Sequence, residues 1–172
     1  AEGGQGFEPL PAVIPRVKIN TPTLHGSISL KGPRFDDLTL AAYQQTLEQG
    51  SPEVVLLSST GLEGAQPYFS QVGWLSDDKS VRVPGDRAIW QADHDQLTPQ
   101  KPVTLSWDNG EGITFFMKIS NDERYMFTIE QTVNNRSERP VKLRPYNLIN
   151  RGYEPPDFDL FILHLGPIGV LN

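Results

Sequence analysis

In three runs between residues 103 and 133 apolar side chains recur at alternate positions, a two-residue period that a helix cannot lay on one face and a strand can. Val103, Leu105 and Trp107 alternate with Thr104, Ser106 and Asp108, and then Ile113, Phe115, Met117 and Ile119 alternate with Thr114, Lys118 and Ser120. The break between the two runs is Asp108-Asn109-Gly110-Glu111-Gly112, where Asn and Gly supply the positive φ of a reversing hairpin. A third strand follows the polar turn Asn121-Asp122-Glu123, with Tyr125, Phe127, Ile129 and Val133 on one face and Thr128, Glu130 and Thr132 on the other. A fourth run, 141–149, alternates less and carries Pro145, which places it near an edge or a bend. The expectation is a four-stranded antiparallel meander over residues 100–151 with one buried face.

The rest of the chain repeats the pattern in shorter pieces. Val17 and Ile19, then Leu24, Gly26, Ile28 and Leu30, mark two strands separated by Thr21-Pro22. Residues 35–40 give another, running into an irregular loop or helical turn at 43–48. Residues 52–57 read as a buried strand, and 66–75 as a strand anchored by Phe69 and Trp74. A polar loop at 76–80 leads into 81–91, with Pro84-Gly85-Asp86 as a turn inside it. Strands at this spacing with turn residues between them are the signature of an all-β sandwich or barrel. Residues 1–15, rich in Gly and Pro and without periodicity, read as a linker or flexible arm, and 16–172 as one domain. The apolar end at 160–172 stops without a polar tail, which leaves an open edge or face to be covered.

Several functions are disfavoured. The net charge of −6 and the lack of a basic cluster argue against nucleic acid. There is no cysteine, so neither disulfides nor thiolate metal sites contribute. No apolar run approaches the ~18–20 residues that span a bilayer, and the first residues lack the basic start and apolar core of a signal peptide. His25, His94 and His164 have no metal-ligand spacing, and no metal or cofactor is expected. Asp36-Asp37, Asp77-Asp78, Asp93, Asp95, Asp157 and Asp159 read as solvated turn acids, and no nucleophile elbow or phosphate cradle occurs, so no catalytic residue is assigned. Trp74, Trp90 and Trp107 could stack on a sugar, which keeps a carbohydrate-binding or mutarotase-like sandwich as the alternative.

Five stretches taken in order carry a resemblance: INTPTLHGSISLKGPRFDDLTLAAY at 19–43, PYFSQVGW at 67–74, LTPQKPVTLSWDNGEGITF at 97–115, YMFTIEQTVNN at 125–135 and LHLGPIGVLN at 163–172. Together they resemble the periplasmic domain of the YidC family of bacterial inner-membrane protein insertases, in particular its α-proteobacterial members. The resemblance implies an antiparallel sandwich of the galactose-mutarotase-like (supersandwich) kind, cut short here at its C-terminal end. It also implies a full-length multi-pass protein of the bacterial inner membrane, with this domain on the periplasmic face and the insertase groove in membrane helices outside this chain. The implied role is non-catalytic: assisting insertion and folding of inner-membrane client proteins by docking to the Sec translocon or its accessory subunits. Tyr153, Phe158 and Phe161, aromatics in or just after a proline-rich loop, are the contact candidates. Self-association is one expected way of covering the open end, and a passive spacer is the remaining reading.

Overall fold

The computed structural model describes residues 13–59, 67–152 and 168–170. Eleven strands form there, and no helix. In chain order they are β1 (Arg16–Asn20), β2 (Leu24–Ser29), β3 (Arg34–Gln44), β4 (Glu53–Leu57), β5 (Tyr68–Leu75), β6 (Gln91–Ala92), β7 (Gln96–Leu97), β8 (Val103–Asp108), β9 (Ile113–Asn121), β10 (Phe127–Asn135) and β11 (Arg144–Arg151). The larger sheet runs β11-β5-β3-β2-β1-β7 with β4 also paired to β3, and the smaller runs β10-β9-β8-β6. All pairs are antiparallel except β1 with β7. The result is an all-β sandwich, as the alternation predicts.

The inward residues of both sheets make one core. Val17, Ile19, Leu24, Ile28, Phe35, Val72 and Trp74 come from the larger sheet, and Val103, Leu105, Ile113, Phe115, Met117 and Ile119 from the smaller. Aromatic rings bridge the layers: Trp74 stacks on Trp90 with centroids 6.0 Å apart and meets Phe115 edge-on at 5.2 Å.

The β8–β9 hairpin forms where the Asn-Gly break predicts it, with positive φ at Gly110 (76°) and Gly112 (84°). Asn109 is buried in this turn. Its Oδ1 accepts from the Glu111 and Ile113 amides at 2.8 and 3.0 Å, and its Nδ2 donates to the Arg82 carbonyl at 3.3 Å.

Four expectations are corrected. Residues 100–151 do not form one meander: β8, β9 and β10 do, but β11 leaves it and pairs with β5 along its whole length. The connection between β10 and β11 crosses from one layer to the other, with Val141 and Leu143 packed on the core and the Lys142 carbonyl accepting from Ser76. β11 is an edge strand, as Pro145 predicts. β4 is not buried, because it pairs only with β3 and leaves Val55 and Leu56 exposed. Tyr125 precedes β10 and is exposed beside Tyr43, outside the inward row. Residues 81–90 form no strand of their own, contributing only an Ile89 bridge to Lys31.

Two predictions come from the hairpin. Asn109→Ala should destabilise the chain by about 1–3 kcal/mol in urea denaturation, because it removes the buried bond to the Ile113 amide and the part-buried bonds to the Glu111 amide and the Arg82 carbonyl. Asp108 accepts from the Thr114 hydroxyl and the Gly110 amide, both at 2.7 Å, and these bonds hold its carboxyl below its usual 3.8. A depressed folded-state value means the stabilisation is complete above the unfolded value and lost as pH falls below 3.8 through the folded one. Asp108→Asn should therefore flatten the acid limb of the stability curve, read as denaturation midpoint against pH; an unchanged limb would contradict it.

Candidate functional site

No reactive constellation forms among the described residues. His25 Nδ1 lies 3.5 Å from Glu53 Oε2 on the surface, and His94 Nδ1 lies 2.7 Å from Asp93 Oδ1. No three His, Cys, Asp or Glu side chains converge as metal ligands among the described residues. Asp78 does serve its own turn, its carboxyl held below the usual range first by the Ser80 hydroxyl and then by the Ser80 amide. Asp77 pairs with Arg144. Asp36 is not the solvated turn acid the sequence suggests: it is buried on β3 and paired with Arg16. The tryptophans form no sugar platform either, since Trp74 and Trp90 are core residues and Trp107 is half-buried under the Arg82 guanidinium. His164, Asp157, Asp159 and the contact candidates Tyr153, Phe158 and Phe161 lie outside the described residues.

What the fold does build is an open flank. Among the described residues β10 has no neighbour beyond β9, and β11 has none beyond β5. Both edges lie on the same side of the sandwich, because β10 crosses over β3 and β5: Phe127 packs edge-on against Phe35 at 5.2 Å, and Gln131 Nε2 donates to the Gly73 carbonyl at 2.9 Å. On β11, Pro145, Asn147 and Ile149 stand opposite Trp74, Val72 and Ser70 and so share the core-facing side. Ile149 nevertheless remains 43% exposed, and Ile129 and Val133 on β10 are only partly covered. An inward apolar row that the described residues cover only in part, bounded by two strand edges unpaired among those residues, is a surface suited to strand addition.

The outer side of β11 is held differently. Tyr146 stands opposite Gly73, and its ring occupies the space of the missing side chain: a Cβ on Gly73 would fall 2.7 Å from the ring. Its hydroxyl accepts from Gln71 Nε2 at 3.4 Å. Burial and then the nearby Asp86 carboxylate push the phenol above its usual 10.0, while Gln71 and Arg34 pull the other way. The sequence shows Gly73 and Tyr146 as two separate residues, and only the register reveals them as a pair.

The described residues thus define an all-β sandwich domain with an open flank, and the comparisons place it more closely. The family model described as the YidC periplasmic domain matches residues 16–172. A membrane protein insertase YidC from Rickettsia bellii (strain OSU 85-389) is 48% identical over 158 residues, covering 92% of this chain and 28% of that protein. Those of Granulibacter bethesdensis (strain ATCC BAA-1260 / CGDNIH1) and Methylobacterium nodulans (strain LMG 21967 / CNCM I-2342 / ORS 2060) are 44% and 45% identical, covering 95% and 92% of this chain and 28% and 26% of theirs. The chain belongs to the YidC periplasmic domain family, on the periplasmic side of the inner membrane. It spans between 26% and 28% of the length of these relatives.

Gly73→Ala should displace the Tyr146 ring and loosen β11. The expected loss is about 1–3 kcal/mol by urea denaturation, as for other overpacked sites, with faster hydrogen exchange at the β11 amides than at those of β9. Equal exchange in wild type and variant would show that Tyr146 does not hold the strand.

Proposed function

We propose that this domain is a non-catalytic docking module of a membrane protein insertase, assisting insertion and folding of inner-membrane client proteins by engaging the Sec translocon or its accessory subunits. The observation that carries this reading is the open flank, where Ile149, Ile129 and Val133 lie between two strand edges that are unpaired among the described residues. Main-chain pairing along such an edge supplies affinity, and the inward side-chain positions supply selectivity. Tyr153 follows the end of β11 by two residues, and Phe158 and Phe161 come shortly after. These three aromatics are the proposed side-chain contacts, and residues 1–15 the proposed arm joining domain 16–172 to what precedes it. A second copy of the chain is the competing occupant of the flank.

Crosslinking of the purified chain to detergent-solubilised translocon with its accessory subunits tests the reading. Wild type should be captured, and capture should fall at least several-fold in Tyr153→Ala/Phe158→Ala and in Ile149→Lys. Capture that survives both changes would remove the flank and the aromatics as the docking surface. No capture by wild type would favour a spacer, and a concentration-dependent dimer in sedimentation that Ile149→Lys abolishes would assign the flank to self-association.

A further inference from the structure

We propose that the outer face of the larger sheet carries a binding pocket for a phosphate-class oxyanion, either free phosphate or the phosphate of a lipid headgroup. The pocket is independent of the docking reading and lies away from the core-facing row of the flank.

Strand register builds its floor. Arg16 stands opposite Ser29, Ser29 opposite Arg34, and Arg34 opposite Gln71, so one row crosses β1, β2, β3 and β5. Their chain neighbours Val17, Ile28, Phe35 and Val72 point into the core, which puts this row on the opposite face. The register between β2 and β3 then shifts, leaving Asp36 as the extra residue between Phe35 and Asp37, and this bulge buries its carboxylate beside Arg16. The wall is the 85–89 loop. Gly32, at φ 51°, lies so close to Asp86 that a Cβ would come 2.8 Å from its carbonyl, and its amide donates to the Ala88 carbonyl at 2.8 Å. Together they enclose a cavity of about 470 Å³ lined by Arg16, Lys31, Arg34, Asp36, Asp86 and Arg87 among others.

Among the described residues that line it, Arg16, Lys31, Arg34 and Arg87 accompany Asp36 and Asp86, in a chain whose net charge is −6. Both acids are already engaged, Asp36 by Arg16 and Asp86 by Gln71 Nε2 at 3.0 Å. Lys31 and Arg34 form no ion pair with the described residues. Arg34 is also held in place: its guanidinium lies over the Phe69 ring at 4.2 Å, and its Nε is buried with no hydrogen-bond partner among the described residues. A buried, oriented donor on a charged fork without an acceptor is what an oxyanion completes. A tetrahedral phosphate has two oxygens for the Arg34 fork and further oxygens, out of that plane, for an ammonium approaching from a second direction, whereas a carboxylate bound by the fork offers that ammonium only the outer lone pairs of the same two coplanar oxygens. The volume admits a phosphate with a substituent attached.

The test follows the Arg34 Nε–H resonance of the 172-residue chain by NMR during titration with inorganic phosphate, with chloride at matched ionic strength as the control. A saturable shift with phosphate and none with chloride is expected. Lys31→Gln and, separately, Arg34→Lys should each weaken binding about tenfold, the ordinary scale of one charge-assisted contact. Cosedimentation with phosphatidylglycerol and phosphatidylcholine vesicles separates the sources: a preference for phosphatidylglycerol that Lys31→Gln removes assigns a lipid headgroup, and saturable phosphate binding without that preference assigns a free phosphate. Equal shifts with chloride, or no saturation with phosphate together with vesicle binding indifferent to Lys31→Gln, would overturn the pocket. Because the resonance is read on wild type, a variant that fails to fold leaves the test intact.

Discussion

Trp74 is the point at which the two layers are joined. From β5, in the interior of the larger sheet, it stacks on Trp90 and meets Phe115 of the smaller sheet edge-on. Each such ring buries on the order of 150–250 Å², which at roughly 25 cal/mol per Å² is about 4–6 kcal/mol of gross stabilisation apiece. A backbone hydrogen bond of a strand pair contributes a net of about 1 kcal/mol. The layers are thus held by side-chain burial, and the strands that contribute little to that burial are held mainly by pairing. β11 is the clearest such strand: most of its side chains are exposed, and it is attached by the ladder to β5, the Tyr146 ring over Gly73, the Arg144–Asp77 pair and the Arg151 guanidinium over the Tyr68 ring.

The outer faces of the two sheets differ for related reasons. On β10 the outward residues Thr128, Glu130 and Thr132 are exposed, the ordinary wet face of an antiparallel sheet. On the larger sheet Phe69, Gln71 and Asp36 are buried although they do not belong to the inter-sheet core. A polar residue covered without a partner is costly, and here most are paired: Asp36 with Arg16, Gln71 with Asp86 and Tyr146. Arg34 Nε stands out against that background, because its surroundings are otherwise satisfied.

Periodicity made β8, β9 and β10 legible with their buried faces, since a two-residue alternation fixes which side chains share a face. It does not say which neighbour a strand chooses. β11 was therefore readable as an edge strand but not as a member of the larger sheet, and the parallel β7, only Gln96–Leu97, is too short to alternate at all. Asp36 and Asp37 show the other limit: two adjacent acids look alike in sequence, while the bulge buries one beside Arg16 on the outer face and leaves the other exposed. The cavity was illegible for the same reason. Arg16, Arg34 and Gln71 are far apart along the chain and become neighbours only through the register of four strands.

The flank and the cavity meet at one side chain. Gln71 Nε2 donates to Asp86, which lines the cavity, and to the hydroxyl of Tyr146, which belongs to the flank strand β11. Burial and then Asp86 raise the Tyr146 phenol, with Gln71 and Arg34 opposing them, so residues of the cavity and of β11 share one local environment. A physical chain of this kind transmits an effect only when one of its elements has two positions. β11 is the element suited to that, since it lies at an edge and is attached by pairing more than by burial. A partner strand that drew β11 outward would take Tyr146 with it, leaving Gln71 with Asp86 alone and altering the wall that faces Arg34.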